Sequence, residues 1–233
     1  MIVKLGIYTF GGIMHTCSNM TLQCNSITFP HKEDVSQIIN QIIKIEHGFK
    51  HIDNGAAEIM AVYSMDQCFE IAIELFKHST YQVRMLATAL LGQIAIDNDD
   101  ALCFLKKKVS VDVNWRVQEM LAKAFDNVCK HRGHEKTLPI IKEWLNDNNP
   151  NVIRAVTEGL RIWTTRPFFK DNPSIAVALL AQHKAHESEY LRKSVGNALR
   201  DISKKHFELI QSEIKTWDMS DSRVMFTYKL IFK

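Results

Sequence analysis

The segment NWRVQEMLAKAFD, residues 114–126, has the apolar spacing of an amphipathic α-helix. Val117 and Leu121 are four residues apart, so they share a face suited to a protein core. Trp115 and Glu119 have the same separation but lie on another face. An aromatic ring and a carboxylate aligned away from the core indicate a surface that binds something or contacts a neighbouring helix.

The same kind of segment occurs four times along the chain without internal gaps. The segments are STYQVRMLATALL from Ser79, NWRVQEMLAKAFD from Asn114, NPNVIRAVTEGLR from Asn149 and SEYLRKSVGNALR from Ser188. Their first residues are 35, 35 and 39 positions apart. Serine and asparagine are favoured helix caps, and Pro150 takes the first helical position, where a missing N–H costs nothing. Pro150 therefore sets the register that we apply to all four helices.

In this register, matching positions of the four segments carry side chains of similar size and polarity. Two columns are apolar and one is small: Leu86, Leu121, Val156 and Val195; Leu90, Phe125, Leu160 and Leu199; Ala89, Ala124, Gly159 and Ala198. Further amphipathic segments, such as HEKTLPIIKEWLND and PSIAVALLAQHK, lie between the four, so the repeating unit is a helix pair. Helix pairs that recur at this interval are typical of HEAT-like solenoids.

We therefore predict an all-α fold, a right-handed HEAT-like solenoid of about five to six helix pairs with a concave basic groove. Residues 1–233 are expected to form a single domain. Its clearest repeats span residues 79–205, and residues 1–30 form an N-terminal segment without an interpretable pattern.

Composition is that of an ordinary globular chain, with 46% hydrophobic and 24% charged residues. No apolar run approaches the ~20 residues that a membrane span needs, so we expect a cytoplasmic protein without a membrane partner. The five cysteines are scattered and odd in number, which favours reduced thiols over disulfides.

Positive charge is concentrated in the second half of the chain. Residues 1–113 contain nine lysines and arginines against twelve acidic residues, whereas residues 114–233 contain twenty against fourteen. Only Arg84 precedes Trp115, and eight arginines follow it. Such a half is suited to a polyanion, although a solvated helical surface gives the same pattern.

The columns that do not form the core are charged. One contains Arg84, Glu119, Arg154 and Lys193, and the stripe Arg154, Glu158, Arg161 and Thr165 follows one helix face. These charges have two interpretations. Either they line a functional surface, or they form a ladder of ion pairs between neighbouring repeats, each contributing about 0 to 1 kcal/mol. Trp115 likewise either faces a ligand or packs on the previous repeat.

NWRVQEMLAKAFD, NPNVIRAVTEGLRIW and ESEYLRKSVGNALRDISKKH resemble the HEAT-like DNA alkylation repair family, the AlkD and AlkC type of alkylpurine DNA glycosylase. The resemblance covers roughly residues 66–210. Members hold duplex DNA on a concave basic surface and release N3- or N7-alkylated purines. The resemblance implies that Trp115 stacks near the lesion's deoxyribose, that Glu119 is the catalytic acidic residue and that Arg154 contacts the DNA backbone.

Two positions depart from the better-known members, which have aspartate where this chain has Glu119 and a second tryptophan where it has Asn197. The full set of expected DNA-binding residues is Arg154, Arg161, Lys193, Asn197, Arg200 and Glu158. Duplex DNA, alkylated, is the expected partner of a monomeric protein. A solenoid that binds nucleic acid or protein through the same groove without catalysis remains the alternative.

The chemistry implied by the resemblance needs few groups, because an alkylated cationic purine is already a good leaving group. A carboxylate near the sugar, Glu119, would stabilise positive charge as the sugar becomes oxocarbenium-like. Trp115 would add a cation–π attraction of about 1 kcal/mol. We expect no cofactor and no metal, since Cys129, His131 and His134 match no usual zinc spacing.

Overall fold

The computed structural model describes residues 32–233, so the segment 1–30 lies outside the described residues. Twelve α-helices and one short 3₁₀ helix, Val109–Val111, make up this part of the chain. The α-helices are α1 Lys32–Ile42, α2 Lys50–Val62, α3 Met65–Phe76, α4 Tyr81–Ile94, α5 Asp99–Lys107, α6 Trp115–Arg132, α7 His134–Leu145, α8 Pro150–Trp163, α9 Pro173–Ala181, α10 Glu189–Ser203, α11 Phe207–Ile214 and α12 Ser222–Ile231. Residues 32–233 contain no strand, which confirms the all-α prediction.

The helices pack in two layers. In the even-numbered layer, consecutive members contact each other from α2 through α4, α6, α8 and α10 to α12. Each odd-numbered helix packs on at least one of the even-numbered helices that flank it in the chain. Six helix pairs stacked in sequence order are the predicted HEAT-like solenoid. Along residues 32–233, no helix is long and apolar enough to cross a membrane.

The predicted caps are confirmed for three of the four repeat helices and wrong for α4. Asn114, Asn149 and Ser188 each accept a backbone N–H of the first turn. In α4 the N-cap is Thr80, which makes no side-chain cap hydrogen bond. The repeat therefore begins one residue after Ser79.

This one-residue shift realigns α4 with the other repeats. Counted from the observed caps, the buried columns are Val83, Val117, Val152 and Leu191; Ala87, Leu121, Val156 and Val195; Leu91, Phe125, Leu160 and Leu199; and Ile94, Val128, Trp163 and Ile202. The predicted matches of Leu86 to Leu121 and of Leu90 to Phe125 are wrong. Both leucines are nevertheless fully buried, because α4 packs on neighbours at several faces.

Aromatic rings fill the layer boundary around α6 and α8. The Phe125 ring stacks on Trp144 of α7 with centroids 4.0 Å apart, and Trp163 stacks on Phe169 at 5.7 Å. Small residues let α4 and α6 approach closely: a Cβ added at Gly92 would lie 2.6 Å from the Cβ of Ala124. Ala124, a member of the small column, therefore lies where α4 and α6 approach closely.

Candidate functional site

Trp115 and Glu119 lie on the first two turns of α6, whose start is set by the Asn114 cap. The indole of Trp115 is exposed and Glu119 is partly exposed, whereas Val117 between them is fully buried. The face that Trp115 and Glu119 share is therefore separate from the core stripe, as the spacing predicts.

Arg154 of α8 joins this face from the next repeat. Its Nη2 donates a hydrogen bond to Oε1 of Glu119, and the arginine itself is buried. Glu158, one turn further along α8, has its Oε1 3.5 Å from the same Nη2. The guanidinium therefore lies between two carboxylates, and the described residues place no hydrogen bond on the second oxygen of Glu119, Oε2.

The charged stripe continues across α8 to α10. Glu158 accepts a hydrogen bond from Ser194, and Arg161 pairs with Glu158 at 3.5 Å and with Asp201. Burial alone would raise the pKa of Asp201, but hydrogen bonds from Lys204 and Arg161 hold it below its ordinary value. Ion pairs therefore join α6 to α8 and α8 to α10, as the ladder interpretation of these columns expects.

Tyr190 is part of this site although the repeat columns did not indicate it. Its ring lies 4.7 Å from the Arg154 guanidinium, and burial raises the pKa of its phenol. Tyr190 stands two residues after its cap, whereas Trp115 stands one residue after its own, so a search by column passes over it. A search for aromatics in the first turn of each repeat helix would have found both.

A second cation–π cluster lies at the start of α6. The Arg116 guanidinium is 4.6 Å from the Trp115 ring and 5.2 Å from the Tyr81 ring of α4. Trp115 therefore contacts the previous repeat through Arg116 while it stays exposed.

Three other predicted site residues, Lys193, Asn197 and Arg200, lie on α10. Lys193 pairs with Glu189 of its own helix at 2.8 Å. Asn197 and Arg200 are partly exposed on α10, and among residues 32–233 the Arg200 side chain has no carboxylate partner within 4 Å. All three remain predictions as DNA contacts.

Arg84 does not belong to the column of Glu119 and Arg154. Because Thr80 caps α4, Arg84 falls one position earlier, where it pairs with Asp112 at 2.6 Å and donates to the carbonyls of His78 and Ser79. Arg192 makes the same contacts with the carbonyls of His186 and Glu187. Both arginines stabilise the turn that precedes a repeat helix.

Further along α6, Asp126 accepts hydrogen bonds from Trp163 Nε1 at 2.6 Å and from Arg166 at 2.5 Å. Next to it is an open pocket of about 260 Å³ whose lining includes Ala89, Gly92, Lys123, Asp126, Lys130 and Arg166.

The cysteine and histidine side chains of the CKHRGH stretch do not face a common site. Burial raises the pKa of the Cys129 thiol to about 12, and His134 is buried against Trp163 and Phe169. His131 contacts the backbone oxygen of Asn127 instead. In the described part of the chain, no three His, Cys, Asp or Glu side chains are grouped to hold a metal ion.

Comparison with known proteins places this solenoid in a family. A family model described as DNA alkylation repair enzyme matches residues 50–228. The chain belongs to the DNA alkylation repair enzyme family. The resemblance read from the repeat segments is therefore confirmed.

Solved structures of similar proteins extend this assignment. AlkD2 from Streptococcus mutans is 46% identical, with a TM-score of 0.82, over 85% of this chain and 96% of that chain. The Pseudomonas fluorescens alkylpurine DNA glycosylase AlkC, bound to DNA containing an abasic site analog, is 19% identical, with a TM-score of 0.66, over 88% and 57% of the respective chains. At this identity, the similarity to AlkC concerns the fold alone.

One curated relative also matches this DNA alkylation repair protein. The uncharacterized protein YhaZ of Bacillus subtilis is 36% identical over 87 residues, which are 36% of this chain and 24% of YhaZ. The chain thus matches about a quarter of the length of that relative.

Proposed function

We propose that this DNA alkylation repair protein is a glycosylase that releases N3- or N7-alkylated purines from duplex DNA. The observation that carries the proposal is the pairing of Glu119 with the buried Arg154, directly beside the exposed Trp115. A carboxylate fixed in place before the substrate arrives is the kind of group that stabilises developing positive charge.

The reaction breaks the bond between C1′ of the deoxyribose and the purine nitrogen, and both electrons of that bond leave with the base. The base leaves as a neutral molecule because it begins as a cation. Water then adds to C1′ and loses a proton to a carboxylate or to solvent. Oε2 of Glu119, which accepts no hydrogen bond from the described residues, is suited to orient this water and to accept its proton.

Trp115 supplies the second interaction with the sugar. Its exposed ring, one turn before Glu119, presents a π face on which a cationic sugar gains about 1 kcal/mol, or more when desolvated. Because Arg116 contacts the same ring, the indole is held against the solenoid and loses little freedom when DNA binds.

The even-numbered layer is the proposed DNA-binding surface. It contains Arg161 on α8, Lys193 and Arg200 on α10 and Lys204 directly after α10, all at least partly exposed. Arginine side chains suit phosphate oxygens because their planar N–H groups match two oxygens at once. The solved structure of AlkC, which shares this fold, is bound to DNA containing an abasic site analog.

A second candidate function is DNA binding without base release. It is favoured by the ladder, in which Glu119, Arg154, Glu158 and Arg161 already compensate each other's charge. A carboxylate neutralised by arginine stabilises a cationic sugar less than a free carboxylate does.

The test is single-turnover release of N7-methylguanine and N3-methyladenine from alkylated duplex DNA by the wild-type protein and by Glu119→Gln. If Glu119 stabilises the sugar, the substitution lowers the rate by about 10² or more. DNA affinity should stay equal or rise, because a carboxylate near phosphates opposes binding. Trp115→Ala should slow release by less, in proportion to the smaller cation–π contribution.

Glu143→Gln is the matched control, because Glu143 also forms an ion pair between helices, with Lys106 at 2.7 Å, but in the odd-numbered layer. It should leave base release unchanged. Unchanged release by Glu119→Gln would exclude the catalytic assignment. Duplex binding by the wild type without any base release would select the non-catalytic candidate.

A further inference from the structure

The loop that leads into α6 exposes apolar side chains. Val111 ends the 3₁₀ helix with 64% of its surface exposed, Val113 is 94% exposed and Trp115 is 54% exposed. The three alternate along the chain, separated by Asp112, whose side chain is buried, and by the helix cap Asn114. We call Val111 and Val113 the apolar tip.

Hydrogen bonds of Asp112 fix the backbone of the apolar tip. Oδ1 of Asp112 accepts the backbone N–H of Asn114 at 2.8 Å, and its Oδ2 accepts Nε of Arg84 at 2.6 Å. The backbone oxygen of Asp112 accepts Nε2 of Gln118 at 2.8 Å. Since Asp112 is fixed on both its side chain and its backbone, the valines beside it point outward with little freedom to fold back.

The same turn precedes the helix caps of three other repeats. In each, a side chain two residues before the cap accepts the cap's N–H: His78 for Thr80, Asp147 for Asn149 and His186 for Ser188. The residue between them is Ser79, Asn148 and Glu187, polar in every case. The turn itself therefore does not require an apolar residue at Val113. Large exposed apolar groups on a rigid loop indicate a contact surface.

Positive charge flanks the apolar tip on both sides. Lys107 and Lys108 precede it, are exposed and have no carboxylate partner within 4 Å among residues 32–233. Arg116 follows it, with its guanidinium over the Trp115 ring. Valines between cations are complementary to a polyanion that also has an apolar interior, which describes duplex DNA.

We propose that the apolar tip inserts against the base stack of duplex DNA at the step next to the nucleotide that Trp115 and Glu119 hold. The inference rests on the proposed DNA binding by the even-numbered layer and names the contact that deforms the duplex. Proteins that bend DNA use apolar side chains as wedges in the minor groove, with neighbouring cations on the phosphates. Because Trp115 belongs to both the tip's loop and α6, a wedge there unstacks the base pair that the carboxylate must approach.

The experiment uses duplexes with an abasic-site analogue and 2-aminopurine on one side or the other of it, because unstacking raises the fluorescence of this base. Wild-type protein at saturation should raise the fluorescence of one of the two duplexes several-fold. Val113→Asn, which installs the residue found at the equivalent Asn148 position, should remove most of this rise. It should also weaken binding by about tenfold, the factor that corresponds to loss of one buried valine. Val111→Asn should have the same effect in part.

The matched control is Val62→Asn at the end of α2, because Val62 is equally exposed, at 62%, and lies outside the apolar tip. It should bind and unstack DNA as the wild type does. Circular dichroism and melting temperature should be unchanged for all three variants, since none of the side chains is buried.

Two kinds of result overturn the proposal. If the wild type binds the duplexes without a fluorescence rise, or if Val113→Asn equals the wild type in both measurements, the tip is not a wedge and the proposed DNA binding stands. If the wild type binds neither duplex, the tip and the proposed function fail together. Vesicles containing phosphatidylserine are the third probe: binding that Val113→Asn abolishes, with duplex binding intact, assigns the tip to a lipid surface.

Discussion

The guanidinium of Arg154 on α8 contacts the carboxylate of Glu119 on α6, so one ion pair joins two repeats at the residue proposed to act in catalysis. Arg154 is also within 3.5 Å of Glu158 and lies under the Tyr190 ring. Its position is thus determined by groups on three consecutive helices of the even-numbered layer. Arg154 therefore contributes both to the stability of the fold and to the position of the carboxylate in the proposed chemistry.

Loss of Arg154 should destabilise the protein more than loss of Glu119. Arg154→Met leaves Glu119 and Glu158 close together without a counter-charge, whereas Glu119→Gln leaves the arginine paired with Glu158. Breaking a buried pair costs about 3 to 5 kcal/mol, which partial exposure of Glu119 reduces to about 2 to 3 kcal/mol here. Urea unfolding of both variants and the double variant measures the difference. Equal costs would contradict the shared-guanidinium geometry.

Arg161 should contribute to DNA affinity in competition with Asp201. Arg161→Ala should weaken binding to all sequences alike and reduce the slope of log K against log salt by about 0.9. Asp201→Asn should strengthen binding, because it releases Arg161 and Lys204 from their shared carboxylate. Lys136→Ala removes the same charge from α7 in the odd-numbered layer and serves as the control. A change in affinity for Lys136→Ala equal to that for Arg161→Ala would argue against a DNA surface on the even-numbered layer.

Gly92→Ala should strain the contact between α4 and α6. The added Cβ would lie 2.6 Å from the Cβ and 2.8 Å from the Cα of Ala124, so backbone must move. Overpacking of this kind costs about 1 to 3 kcal/mol. Thermal melting measures the cost, and Ala124→Gly in the same chain should restore part of the loss. An unchanged melting temperature for Gly92→Ala would show that the helices can separate at this point. A loss that Ala124→Gly does not reduce would show that Ala124 is not the group in the way.

Acid should destabilise the protein through His183. Burial, with a smaller contribution from the nearby His186, lowers the pKa of His183 from 6.5 to about 4. Above pH 6.5 the imidazole is neutral in the folded and unfolded states, so it does not affect stability. As pH falls from about 6.5 toward 4, the unfolded state binds the proton first, and stability decreases by about 1 to 2 kcal/mol.

The measurement is the free energy of unfolding of the wild type and of His183→Leu between pH 4 and 7. His183 Nε2 has no hydrogen-bond partner, so leucine removes the titrating group without breaking a bond. The variant should lose part of the acid sensitivity, and His47→Gln, on an exposed loop, should keep it. The same pH dependence in wild type and His183→Leu would show that other groups cause it.

Repeat helices were predictable to within one residue because their signals are local. Asn114, Asn149 and Ser188 cap helices as expected, since a side chain needs only the next three residues to satisfy a first-turn N–H. The start of α4 was misplaced because Ser79 and Thr80 are both acceptable caps. His78 decides between them, because its Nδ1 accepts the N–H of Thr80.

The sequence by itself determined the helical repeat, the apolar stripes and the face shared by Trp115 and Glu119, because helical periodicity follows from spacing along one chain segment. Only the tertiary structure decided that Arg154 pairs with Glu119 as well as Glu158, that Tyr190 covers this arginine and that Val113 projects from a rigid turn. These contacts join separate helices. Their partners depend on the offset and distance between packed repeats, and a one-residue shift such as that of α4 changes which side chains meet.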